Sequence, residues 1–389
     1  MALTSRSTVL LTSLVLLLAA PQGLRADGAQ RTLGQGLAPS TTTRITSAAN
    51  VTLRAMPSAE AAAVVQVPLG TELTDAGPAG LDKTWTRVKL ADGREGWLMT
   101  NLTRPLDPVW RWPVFDRIIA ERLGRKGDGF AAAAELVTFI ERVGGEYTSL
   151  EGRAQLDSSR LRAMIATTAA IPTRGGSKEL YGSWITAHKT EIVYDAPGGR
   201  WMVSSEAIWN VQSKYASTSI ADDLAWLAVT NGLSGECEGY LPCYLVARNR
   251  LHGEYLRRRA FGRHAADAVT VIRTTAETLA ASTKGTASYS FDRKTDCKLL
   301  NDTIDALTAA VQGTRVEGKD AALGALAGLR RLCQSTRVAV IGSVLAARSA
   351  GHTLPASVIT IASASAMPNV RPSAGFTPAR TALNDRPAR

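Results

Sequence analysis

Past its first twenty residues the 389-residue chain has no apolar run that approaches the length needed to cross a bilayer, about 20 consecutive apolar residues. Histidine is scarce: His188, His252, His264 and His352 are too scattered along the chain to define a metal or acid–base site. There is no Gly-x-Ser-x-Gly elbow, no Gly-rich phosphate loop and no zinc-protease helix. Those absences exclude the commoner serine-hydrolase, nucleotide-binding and metalloprotease chemistries. No segment repeats at a fixed period, which excludes a solenoid. No cysteine follows the N-terminal apolar stretch, so a lipid-anchored start is excluded as well. Acidic residues are outnumbered 34 to 45 by Lys and Arg, for a net charge of +11, a balance that favours anionic surfaces as partners.

What is present begins with an address. Arg6 and the amino terminus form a short basic region ahead of Val9 to Ala20, which is almost entirely Leu, Val and Ala. That pattern predicts a signal peptide over 1–26, with cleavage after Ala26, and a periplasmic or secreted protein. Export argues against nucleic acid as the partner of the basic charge, and the mature chain is expected to carry no membrane span. Residues 27–45, rich in Gly, Ser, Thr, Gln and Arg, read as a flexible linker, and 351–389 as a disordered tail.

Four cysteines in an exported chain predict two disulfides, with three pairings possible. Helical geometry selects among them. Cys297, Leu300, Ile304, Leu307 and Val311 form one stripe, and Leu326, Leu329, Cys333 and Val340 another, with a turn near 313–318. An antiparallel hairpin sets Cys297 opposite Cys333, a bridge expected to contribute about 3 kcal/mol. Cys237 then pairs with Cys243 across a loop in which Gly239 and Pro242 permit the bend. Glu236 and Glu238 beside Tyr240 could suggest paired carboxylates for sugar cleavage, but acidic residues next to a loop disulfide are usually only solvated.

From Val51 the patterning alternates. Val51 and Leu53 share a strand face, Trp85 and Val88 begin another strand, and Asp92-Gly93 is a two-residue hairpin turn returning through Gly96-Trp97-Leu98. Val51-Thr-Leu-Arg-Ala-Met-Pro57 followed by Trp85, Asp92-Gly93 and Gly96-Trp97 resembles the bacterial SH3-like (SH3b) domain over residues 46–106. It departs from that pattern at Thr52 and Met56, where Asn and Gly are common. The resemblance implies a small β-barrel in an exported module that binds peptidoglycan or a protein partner, with Arg54, Trp85 and Trp97 as candidate ligand-binding residues.

Residues 107–350 read as mainly helical. Leu136, Phe139, Ile140 and Val143 stripe one helix over 131–143, and others are expected near 156–169, 220–231, 243–258 and 264–281. Residues 181–209 read as β, with a hairpin near 190–204 around Pro197-Gly198-Gly199. Tyr255-Leu256…Gly262-Arg263-His264-Ala265…Ala268 resembles a single tetratricopeptide-type hairpin, though an ordinary bundle suits a lone unit better. Arg257-Arg258-Arg259 with Arg263 reads as a solvated helix end rather than a polyanion site. Trp110, Trp112, Val114 and Phe115 are expected to pack the barrel against the helices.

The fold class expected is therefore multidomain α+β, an SH3-like barrel followed by a mainly helical domain with one hairpin. The function expected is a non-enzymatic cell-envelope binding or scaffolding protein, with no catalytic residue, metal or cofactor assigned. The alternative is a peptidoglycan hydrolase in which the barrel serves as targeting module.

Overall fold

The computed structural model describes residues 42–77, 83–172, 178–282 and 289–334. The signal peptide, residues 27–41 of the linker, Val340 and the 351–389 tail lie outside them.

The N-terminal part is one antiparallel sheet of seven strands: β1 (Thr43–Thr46), β2 (Val51–Arg54), β3 (Ala63–Val67), β4 (Glu72–Asp75), β5 (Trp85–Lys89), β6 (Glu95–Met99) and β7 (Thr103–Pro105). The strand order is β3-β2-β6-β5-β4-β1-β7, so β3 and β7 are edges and the ladder does not close into a barrel. β2 meets β6 through the single registered pair Arg54↔Trp97, and the ladder of β2 with β3 shifts register at Leu53/Arg54. The hairpin β5–β6 forms where expected but turns over three residues, Ala91-Asp92-Gly93, rather than two: the Leu90 N–H donates to the Arg94 carbonyl at 2.9 Å, Gly93 sits at φ +89° and Asp92 accepts the Arg94 N–H at 3.0 Å.

The linker read over 27–45 is corrected at its end, where Thr43–Thr46 is a strand. Its alternation is of Thr, Arg and Ile, too polar to stand out. It forms because β4 and β7 flank it, and Arg44 donates to Thr103 Oγ1 at 2.9 Å. A sheet cut at residue 46 would lose the strand joining β4 to β7.

Among the described residues eleven α-helices follow: α1 (Trp112–Leu123), α2 (Phe130–Val143), α3 (Leu150–Ala169) and α4 (Lys178–Ala187), then the hairpin β8 (Ile192–Asp195) and β9 (Arg200–Val203), then α5 (Ser205–Lys214), α6 (Ala221–Asn231), α7 (Leu241–Arg248), α8 (Glu254–Arg258), α9 (Ala265–Ser282), α10 (Arg293–Gln312) and α11 (Lys319–Arg330). Ser149, Ser204 and Asp292 cap α3, α5 and α10 through their side chains. The β reading of 181–209 is corrected at both ends, since 181–187 belongs to α4 and 205–209 to α5. Trp184, Ile185 and Thr186 favour strands locally. Tertiary packing overrides that preference: Trp184 and Tyr181 meet Phe130 edge-to-face at 5.9 and 4.7 Å.

The sheet keeps a small core of its own, which includes Val51, Leu53, Val67, Leu73, Val88 and Leu98. Ile45, Leu69 and Leu106 instead join the core of the helices, where Phe115 and Phe139 meet edge-to-face at 5.8 Å. Two charged groups of α2 clamp the turn before β4. Glu135 accepts the Leu69 and Asn50 N–H groups at 2.5 and 3.2 Å, and Arg142 donates to the Leu69 carbonyl at 2.6 Å. Trp110 and Trp112 do not pack between the two parts as expected. They are 62% and 46% exposed, because Leu69, Leu106 and Phe115 already fill that seam.

The helix expected over 243–258 runs from Leu241 to Arg258 with a π turn at Asn249–Gly253. Gly253 has no side chain to hold the turn off α10, where a Cβ would stand 3.1 Å from Leu307. His252 is buried in this turn, and its Nδ1 has no hydrogen-bond partner among the described residues. Burial, with a smaller contribution from Arg248, pushes its pKa down to about 4. The unfolded chain binds that proton near pH 6.5, so stability is full above that pH and falls as pH drops toward 4. Between pH 7 and pH 5 the wild type should lose about 2 kcal/mol more than a His252→Gln variant. Urea titrations at the two pH values measure it, and equal losses would contradict it.

Candidate binding groove on the sheet

Register brings the three candidate ligand residues to one face of the sheet. Trp97 lies opposite Arg54 on β2 and Arg87 on β5, while Trp85 lies opposite Met99 one row along. Val88, Gly96 and Leu98 alternate to the other, buried face. Gly96 is required there, since a Cβ would come within 2.7 Å of the Arg54 carbonyl.

The β1–β2 turn, β2 and the start of the turn after β6 enclose a groove of about 210 Å³. Arg54 and Trp85 both line it, with Asn50, Thr52, Met99 and Leu102. Trp97 does not line it and sits half-buried in the neighbouring row. Trp85 is buried, so it supplies a wall rather than an exposed stacking platform.

Arg54 donates from Nη1 to the Ala61 carbonyl at 2.6 Å, which fixes the guanidinium across the 55–61 turn. It forms no ion pair among the described residues, and no carboxylate among them lines the groove. Four of the five guanidinium N–H donors are therefore left for a carbonyl or carboxylate. Asn50, at φ +53°, holds the rim, and its N–H is the one bound by Glu135 of α2, so the helices position the groove. Asn50 and Met99 went unread in the sequence, and Thr52 was noted only as a departure from the SH3-like pattern, because a groove rim has no periodicity to mark it.

The other candidate chemistries resolve into structural roles. Cys237 is bonded to Cys243 and Cys297 to Cys333, each with Cα atoms 5.5 Å apart, so no thiolate is available for a nucleophile or metal ligand. Tyr240, beside Glu236 and Glu238, donates to Asp296 at 3.0 Å and ties the short loop to α10. The arginine cluster at 257–263 is matched by carboxylates: Arg257 and Arg258 pair with Glu254, Arg259 with Asp222, and Arg263 with Asp222 and Asp223.

Asp222 is the hub of that last group. It is buried, accepts from the Tyr255 hydroxyl at 2.7 Å and from the Arg263 N–H at 3.1 Å, while the same hydroxyl accepts the His264 N–H at 3.1 Å. Burial alone would raise its pKa, but these donors and Arg259 hold the carboxyl below its usual range. His264 stacks on Trp226 with ring centroids 4.4 Å apart. The Gly262-Arg263-His264 segment is thus a turn locked onto a buried carboxylate.

Compared with protein-family models, curated proteins and solved structures, the chain matches none.

Proposed function

We propose that the chain is an exported, non-enzymatic cell-envelope protein whose sheet, read as an SH3-like module, binds peptidoglycan or a protein partner. The helical part would serve as scaffold. The observation that carries this reading is Arg54, fixed by one backbone carbonyl at the edge of an uncharged groove walled by Trp85, with no carboxylate among the described residues to satisfy it. A peptide carrying carbonyls and a carboxylate suits that combination. Two disulfides support an oxidising compartment, and no described helix is long and apolar enough to cross a membrane. The net charge of +11 would assist approach to an anionic wall.

Incubation of the full mature chain with purified peptidoglycan tests the reading, with bound protein and released muropeptides followed in the same sample. Sedimentation of the protein with the wall and no released fragments is the expected result. Release of fragments would replace the binder with a hydrolase. Absence of sedimentation would move the ligand to the protein class, to be sought among envelope proteins.

A further inference from the structure

A second site lies in the helical part, 650 Å³ in volume, between the C-terminal turn of α1, the start of α2 and the last turns of α3. Its origin is legible in α3. Arg162, Ala166, Ala169 and Ala170 fall at spacings of four, three and one on a single face, and alanines are too short to fill the gap left by the end of α1. Ala133 and Leu136 of α2 complete an apolar wall. The volume is within the usual range for small-molecule sites, about 300–1,000 Å³.

Three arginines line this apolar space and only one carboxylate does, among the described residues. Arg122 is the informative one. It continues the buried stripe Phe115, Ile118, Ile119 of α1, with its own side chain only 4% exposed. One nitrogen donates to Asp128 at 2.5 Å, while its Nε, closed to solvent, has no partner among the described residues. Paired with Asp128, the guanidinium still leaves one buried donor unmet, at about 1–3 kcal/mol. Arg125 and Arg162 make no ion pair among the described residues.

The plainer explanation is that these arginines complement helix C termini, each worth about half a negative charge. Two such ends with Asp128 supply about two negative charges against three positive ones, so the lining stays net positive. Complementing a dipole also does not require burying Arg122.

We propose that this cavity binds a small amphiphilic anion, a carboxylate or phosphate borne on an apolar body. Arg122 and Arg162 would receive the charged end, and the alanine wall of α2 and α3 the apolar part. This site is independent of the sheet groove and does not rest on the envelope reading.

Calorimetric titration of the full mature chain with decanoate and with dodecyl phosphate tests it, the two probes separating carboxylate from phosphate. Decanol and inorganic phosphate serve as the body without the charge and the charge without the body. One-to-one binding of at least one amphiphile is expected, at least tenfold tighter than either control. Arg162→Glu, at an exposed position, and Ala166→Phe, which fills the space, should each weaken it about tenfold or more, the scale of one charge-assisted contact. Either variant alone suffices should the other not fold. No binding by either amphiphile, decanol binding as tightly as decanoate, or affinities unchanged in a folded variant would each overturn the proposal.

Discussion

Gly70→Ala should lower the stability of the chain by about 4 kcal/mol and uncouple the sheet from the helices. Gly70 sits at φ +71°, where any side chain costs about 1–2 kcal/mol. A Cβ there would also overlap the ring of Phe139 and the guanidinium of Arg142. Phe139 is fully buried between the sheet and α1, so relief requires overpacking a closed core, at about 1–3 kcal/mol. The displaced arginine belongs to the clamp on Leu69 and the ring to the core beside it, so the loss falls on the seam between the two parts. Chemical denaturation followed by far- and near-ultraviolet dichroism should show one transition in the wild type and two in the variant. A variant with the wild-type midpoint and a single transition would show that the seam does not hold the parts together.

Asp222→Ala should cost about 3 kcal/mol or more, because it orphans several buried partners at once. The Tyr255 hydroxyl and the Arg263 N–H lose their acceptor, and Arg259 loses its nearest carboxylate. Asp222→Asn should cost less, since its amide oxygen can still accept from Tyr255 while its NH2 faces the Arg263 donor. Urea midpoints should therefore rank wild type, then Asn, then Ala. Equal midpoints for Asn and wild type would show that charge adds nothing there, and a neutral Ala variant would remove the hub assigned to Asp222.

Much of the helical architecture was readable because burial leaves a period in the residues. The stripes at Leu136–Val143 and Leu300–Val311 are buried as spaced, and matching distances from the 313–318 turn sufficed to pair Cys297 with Cys333. Asp92-Gly93 announced its hairpin because its turn chemistry is local. What escaped was set by tertiary contact. Strand β1 owes its form to β4 and β7, α4 to the ring of Phe130, and the exposure of Trp110 and Trp112 to a seam already filled by Leu69 and Phe115.

Half of the groove was readable in the same sense. Arg54 and Trp85 stand in the strand pattern and meet at the groove, whereas Trp97 shares that pattern and falls one row outside it. Asn50 and Thr52 lie together at the start of β2, and only the sheet register brings Met99 of β6 to them. Arg122 did carry a signal, a charge in register with an apolar stripe, but that stripe lies in a helix opening on Trp112-Pro113, where Trp112, Val114 and Phe115 read as the seam to the sheet.

The groove itself is tested most directly by sedimentation of the full chain with purified peptidoglycan, wild type against Arg54→Gln. Glutamine removes the charge and, being two bonds shorter, also the Nη1 donor to the Ala61 carbonyl, so the melting midpoint is read beside binding to separate loss of the tether from loss of the contact. Binding weakened about tenfold or more, with an unchanged melting midpoint, is the predicted result, on the scale of one charged contact. Undiminished binding by a folded Arg54→Gln chain would contradict the assignment of the groove as the wall-binding site.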